Sequence, residues 1–590
     1  MRIFIFLLFI SAVSFAQTNT YEISFENAVH HEAKIKATFP NVKSNALIVS
    51  MSRSSPGRYA IHEFAKNVYG FKATNSKGKE LEVTRKDPYS WIITGHDGTV
   101  NVEYLLFGNR ADGTYSQIDN THAHLNMPAT FIYSEELKHR PIEITFNTPK
   151  DSNWEVATQL KQIKGNTYMA PDLYYFMDSP TEVSNFSLRE FKMDGKNIRF
   201  ALHHDGTEAE FDEYFDQVKR IVEQEKQVYG ELPAYDFGEY TFIACYLPNV
   251  SGDGMEHRNS TVLTDTESLA TGGMKGNIGT VSHEFFHSWN VERIRPNDLE
   301  PFDFSEANMS GSLWFAEGFT SYYTNLILHR ANIISAEEYV ESLNGTFNYV
   351  WNSPAHQFFN PIEMSYQAPF VDAATSVDPV NRENTFISYY SYGSVLGLAL
   401  DLELRKNGLN LDDYMKQVWN TYGKSEVSYT IEDLHNSLSS YAGATIGDNF
   451  FGNYIYKSEM PNYAELFKAV GLKLTQDIEK GYFGASLKAT DGLIQINSNP
   501  KIGSPAYIAN LTNGDRIIRV NEKAISNMAD WEKIINESKP GNELTITYLR
   551  DTKEAKAKVT LSKDPTFTIS IDENADKKAV KAREAWLATK

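Results

Sequence analysis

The 590-residue chain predicts a multidomain α+β protein: a β-rich N-terminal domain, a central domain in which helices take over, and a small β-rich domain near the C-terminus. Three observations carry that expectation. From about Tyr21 to Phe200 apolar and polar residues alternate between turn residues; from about Leu313 to Phe467 the apolar spacing is helical; past about Gln476 short strands and turns return. Length agrees, because domains of about 100–200 residues give three or four units. Apolar residues at 41% and charged residues at 22% describe a globular chain and exclude collagen-like or disordered classes.

The elements follow in order. Met1-Arg2, the apolar run Ile3 to Val13 and Ser14-Phe15-Ala16 read as a signal peptide over residues 1–16, cut after Ala16. The run is shorter than the roughly 20 residues that cross a bilayer, so the mature chain is expected to be exported, periplasmic or secreted, with no membrane span. Residues 17–180 read as the β domain, with Ala33 to Phe39, Trp91 to Thr94 and Val100 to Tyr104 as alternating strands. Phe211, Tyr214, Phe215, Val218, Ile221 and Val222 then share one helical face that ends near Gly230, and a strand follows over Tyr240 to Leu247. The central domain is expected over 181–400 and its helical completion over 401–472, where Asp401 and Arg405 stand four apart. Between them Asn352 to Glu383, rich in Pro, Ser and Asp, reads as a long loop. Residues 473–565 form the last domain, and 566–590 read as a charged tail, whose Ala/Lys/Glu-rich end from Asp572 to Lys590 is a solvated helix or a frayed segment.

Charge and cysteine content narrow the function. Acidic residues outnumber basic ones, 76 to 56, for a formal charge of −20, which repels phosphate backbones and makes nucleic acid an unsuitable partner. A single cysteine, Cys245, excludes an intramolecular disulfide and a cysteine-ligated zinc finger.

The chemistry concentrates in Val281-Ser282-His283-Glu284-Phe285-Phe286-His287-Ser288-Trp289. In H-E-x-x-H on a helix, both imidazoles lie on one face and reach one metal ion, while Glu284 sits beside it, placed to take a proton from water. Val281, Phe285 and Trp289 make the opposite, apolar stripe. Two histidines leave a catalytic zinc site one ligand short, and Glu317 is the lone carboxylate of the apolar helix Leu313 to Tyr323, where a buried acid is costly unless paired or metal-bound. His-His-Glu with one open position is a hydrolytic arrangement.

H-E-F-F-H-S-W-N-V-E-R-I-R-P from His283, with W-F-A-E-G-F-T-S-Y-Y from Trp314, resembles the glycyl aminopeptidase family of zinc metallopeptidases, related to aminopeptidase N and thermolysin. Gly252 to His257 resembles its G-M-E-H segment, and Tyr389 to Gly393 its Y-x-K-G segment, with Tyr392 in place of Lys. The resemblance implies a thermolysin-like catalytic domain with a helical layer. It also implies one zinc ion per chain on His283, His287 and Glu317, and Glu284 as general base. Gly254 and Glu256 would meet the substrate, the Glu256 carboxylate pairing with its free α-amine. Tyr390 would donate to the oxyanion, with Tyr389 and Tyr392 as rivals. Gly481 to Ala485, Ser504 to Ala506 and Asn513 to Ile518 resemble a PDZ domain, which takes a peptide C-terminus or strand by strand addition.

The expected function is removal of small N-terminal residues, Gly or Ala, from peptides. A zinc endopeptidase applies instead if Glu256 faces solvent and the cleft is open; a catalytically inactive, PDZ-bearing peptide-binding protein is the alternative of another class.

Overall fold

A computed structural model of the chain describes residues 17–150, 152–371, 378–490 and 492–590; the signal peptide expected at 1–16 lies outside the described residues. In the N-terminal domain, alternation becomes pleat. Tyr21, Ile23 and Phe25 of the strand Asn19–Asn27, and Ala33, Ile35, Ala37 and Phe39 of Glu32–Phe39, are buried in one core. The two strands pair antiparallel, Ile23 opposite Ile35, inside a seven-stranded sheet. A three-stranded sheet and a four-stranded one complete the domain. The four-stranded sheet includes Thr181–Ser184, paired to Glu155–Thr158 and His122–Leu125, so this domain runs past the expected boundary at 180.

The central domain begins with a five-stranded sheet: Ser187–Met193, Lys196–His204, Glu239–Tyr246, Ser260–Asp265 and Asp253–His257, in that spatial order. The three middle strands are parallel, and Asp253–His257 runs antiparallel along the edge. Parallel neighbours need a crossover, and the helix Glu208–Tyr229 supplies it. Its start is fixed by a reciprocal Thr207–Glu210 capping box and its end by Gly230 at φ 89°, a left-handed residue that glycine adopts without strain.

Two long helices, Leu313–Arg330 and Tyr389–Lys406, cross at glycines. A Cβ on Gly393 would lie 1.8 Å from the Trp314 carbonyl oxygen, and one on Gly318 would lie 2.3 Å from the Gly393 Cα. The second helix spans residue 400, and its neighbours 401–472 share one core with the sheet, so the helical layer is part of the catalytic domain and not a separate unit.

Two sequence expectations are corrected near the C-terminus. Leu472–Gln476 pairs with Phe567–Ile571, outside the PDZ sheet, whose strands lie between residues 487 and 560. Residues 566–590 are not a solvated tail. Asn344 and Asn348 accept the backbone N–H groups of Ile569 and Phe567 at 2.7 and 2.8 Å, and the helix Lys577–Leu587 buries Ala579, Trp586 and Leu587. Its charges occupy the outer face, which hid the apolar one in the composition. The stretch Asn352 to Glu383 carries the short helices Pro361–Ser365 and Arg382–Thr385, with 372–377 outside the described residues. Asn384, beside it, holds the PDZ segment 500–502: its side chain donates to the Pro500 carbonyl at 3.1 Å and accepts from the Ile502 N–H at 2.7 Å. Among the described residues no helix is long and apolar enough to cross a membrane.

Candidate metal centre

His283 and Glu284 lie on the helix Ile278–Phe286, and His287 follows as its C-cap, still in right-handed helical conformation. Val281, Phe285 and Trp289 are completely buried on the far side, which turns the imidazoles toward the cleft. Hydrogen bonds fix both tautomers. His287 Nδ1 donates to the Asn290 carbonyl at 2.6 Å. The Thr324 hydroxyl donates to Thr320 O at 3.0 Å and so accepts from His283 Nδ1 at 3.2 Å. In the neutral rings each Nε2 then presents its lone pair, and the two stand 3.1 Å apart. Glu317 on the helix Leu313–Arg330 brings Oε2, an oxygen with no hydrogen bond, to 3.4 Å from His283 Nε2 and 3.2 Å from His287 Nε2.

Metal bonds of about 2.0–2.1 Å in a tetrahedron put neighbouring ligand atoms about 3.3 Å apart. The three separations match that edge, and the converging lone pairs repel one another unless a cation lies between them. The residues fit a metal ion.

The charge balance points the same way. Burial opposes a charged His287, yet the Glu317, Glu256 and Glu284 carboxylates outweigh it and push its pKa up to about 10. Burial likewise opposes a charged Glu317, and His287 and His283 overcome it, holding that carboxyl far below the usual range. Glu284 and Glu256 go the other way, raised mainly by burial.

Glu284 Oε2 is buried without a hydrogen-bond partner, beside the ligands. Gly254 makes room for it, since a Cβ there would lie 2.3 Å from Glu284 Oε1. Glu256 is 5% exposed, its carboxylate within 4.8 Å of Glu284 and His287, so it faces the site and not solvent. The neighbouring His257 is turned away by Asp178, 2.8 Å from its Nδ1. Of the three tyrosines, Tyr390 lies at the site, its ring centroid 5.9 Å from that of His283, with Tyr389 stacked behind it at 4.7 Å. Tyr392 is elsewhere, hydrogen-bonded to His356 Nδ1 at 3.0 Å. Burial and the nearby Glu317 carboxylate raise the Tyr390 phenol well above its usual pKa, so it keeps a proton to donate.

Sequence reasoning missed the segment Ser55-Pro56-Gly57-Arg58-Tyr59, through which the N-terminal domain reaches this centre. The Tyr59 hydroxyl donates to Glu317 Oε1 at 3.0 Å, Arg58 pairs with Asp253 on the edge strand, and a Cβ on Gly57 would fall 2.9 Å from Glu256 Oε2. Pro56-Gly57 marks a turn, but nothing local joins it to residues some 200 positions away.

Residues 20–185 match the family model of the Peptidase M61 N-terminal domain, 276–396 that of M61 glycyl aminopeptidase, and 481–561 that of the PDZ domain. Among solved structures, an aminopeptidase N family protein from Idiomarina loihiensis superposes with a TM-score of 0.85 at 23% identity, covering 97% of this chain and all of its own, a likeness of fold. An M1 zinc metallopeptidase from Deinococcus radiodurans reaches 0.45 at 11% identity over 76% of this chain and 95% of its own. Yeast LTA4 hydrolase reaches 0.45 at 15% over 76% and 68%. No curated protein sequence matches. Fold and family together define a metallopeptidase that carries a PDZ domain. The chain carries the two M61 domains, the N-terminal one over 20–185 and the glycyl aminopeptidase one over 276–396.

Proposed function

We propose that the protein is an exported zinc aminopeptidase that removes small N-terminal residues, Gly or Ala, from peptides. Glu256 carries the exopeptidase reading: a buried carboxylate beside Glu284 and His287, with no Lys or Arg bonded to it among the described residues, suits the ammonium of a peptide N-terminus. His283, His287 and Glu317 hold the zinc. Bound there, zinc polarises the scissile carbonyl and acidifies the attacking water.

The chain's own groups do the rest. Glu284 accepts the water's proton at its unpartnered carboxylate and hands it to the leaving amine. Tyr390 donates to the developing oxyanion. Tyr59, through Glu317, and Thr324, through His283, keep the ligands oriented. Gly254 lets the edge strand lie against Glu284, where the substrate backbone can run beside it. The name of the matching family, glycyl aminopeptidase, supports the preference for small residues such as Gly and Ala.

The test compares a Gly or Ala amide carrying a free amine with its N-acetylated twin, on protein of known zinc content. Activity on the free amine alone, lost in Glu284→Gln and weakened chiefly in KM in Glu256→Gln, is the expected result. Cleavage of the blocked twin at a similar rate makes the enzyme an endopeptidase. No turnover by zinc-loaded protein leaves only peptide binding at the PDZ domain.

A further inference from the structure

A second convergence of ligand atoms lies away from the catalytic cleft, between the N-terminal and central domains. His122 and Glu182 come from the four-stranded sheet, and His203 and Cys245 are direct neighbours on the parallel strands Lys196–His204 and Glu239–Tyr246. All four are buried, and one ligand atom from each lies within 4.8 Å of all the others. We propose that these four side chains form a second, closed zinc site that fastens the two domains together.

The separations have the size a tetrahedral ion imposes. His122 Nδ1 is 3.1 Å from Glu182 Oε1 and 3.3 Å from His203 Nδ1, and His203 Nδ1 is 3.4 Å from the same Oε1. Bonds of about 2.0–2.1 Å to nitrogen and oxygen predict about 3.3 Å for these edges. Cys245 Sγ stands farther off, 3.7 Å from His122 Nδ1 and 3.9 Å from His203 Nδ1. That follows from the longer metal–sulfur bond, about 2.3 Å, which stretches a nitrogen–sulfur edge to about 3.6 Å. Two nitrogens, one oxygen and one sulfur suit zinc, a borderline ion without a geometric preference of its own.

The outer groups are also in place. His124 Nε2 donates to the Asp112 carbonyl at 3.0 Å, and its Nδ1 meets Glu182 Oε2 at 3.1 Å, which leaves Oε1 to the cluster. His122 Nε2 is buried with no hydrogen bond, and Asp119 Oδ2 lies 3.6 Å away as the carboxylate that would orient it. With four protein ligands the site has no open position for substrate, so its role is structural. Each domain supplies half of the ligands, and neither half binds alone with comparable strength. The site thus replaces the cross-link that a chain with one cysteine cannot make.

Metal counting and a thiolate signature test this independently of peptidase activity. The purified full-length protein is expected to contain two zinc ions per chain. Exchange of both for cobalt(II) should produce a thiolate-to-cobalt charge-transfer band in the near ultraviolet, which the catalytic ligands, lacking sulfur, cannot give. Cys245→Ser should lose the band and one equivalent while keeping the other; His287→Ala should keep the band and lose the other. His122→Gln serves if Cys245→Ser does not fold, with the same loss of one equivalent expected. Wild-type protein that takes up a single equivalent and shows no thiolate band overturns the assignment, whether or not it cleaves peptides.

Discussion

Glu317 and Asp412 are both almost fully buried acids, and the helix Leu313–Arg330 serves both, holding the first on its second turn and offering Arg330, its last residue, to the second. Their surroundings differ. Asp412 meets Arg330 at 3.1 Å, the Lys590 ammonium, and the Tyr323 hydroxyl at 2.7 Å, so its counter-charge is built into the chain. Glu317 meets two imidazole lone pairs and one phenol. A buried acid with its own cation ties elements together; a buried acid among lone pairs is a receptor for a cation from outside. Glu182 combines the two, with His124 at one oxygen and the proposed ligand cluster at the other.

That contrast breaks most visibly at Glu317→Gln. Metal content at the catalytic centre and activity should both collapse, the activity by on the order of 10³-fold or more in kcat/KM. Retained metal with a large loss of stability would make Glu317 an acid of the Asp412 type.

Asp412→Asn is the converse, sparing the metal and costing about 3–5 kcal/mol of stability, read by urea unfolding, because Arg330 is left buried beside a neutral partner. The sign with pH follows. Burial raises the Asp412 pKa, but Arg330 and Lys590 outweigh it and hold the carboxyl far below its usual range. The stabilisation is therefore present above about pH 4 and lost as pH falls through the folded pKa. Wild type should lose more stability than the variant between about pH 4 and pH 2; equal slopes would remove Asp412 from the account.

Tyr390→Phe sharpens the comparison at the cleft. A donor that acts only in the transition state should cost about 10²–10³ in kcat with KM and zinc content little changed. A matching loss from Tyr392→Phe would contradict the placement of Tyr392 against His356.

Much of the catalytic centre was legible in the sequence because its physics is local. Four-residue spacing put His283 and His287 on one face, and the polarity of Glu317 stood out against its apolar neighbours. Helical period also separates the tyrosines: Tyr392 is two residues and about 200° around from Tyr390, on the face turned to His356. What escaped depends on pairing between distant segments. Tyr59 and Glu317 are 258 positions apart, and His203 meets Cys245 only through the register of two parallel strands. The docking of the C-terminal helix escaped for another reason: Lys and Ala dominate its composition, while three apolar residues decide where it docks.

The meeting of Gly318 and Gly393 has a consequence for descent. A carbonyl oxygen occupies the volume where a side chain would begin, so the alphabet at residue 393 has one letter, and residue 318 is nearly as constrained. Successive generations can reshape the cleft through the segment 55–59 or the edge strand, altering which peptides enter. The separation between the Glu317 carboxylate and Tyr390, at the head of the crossing helix, is fixed by that contact, so specificity can change while this geometry stays.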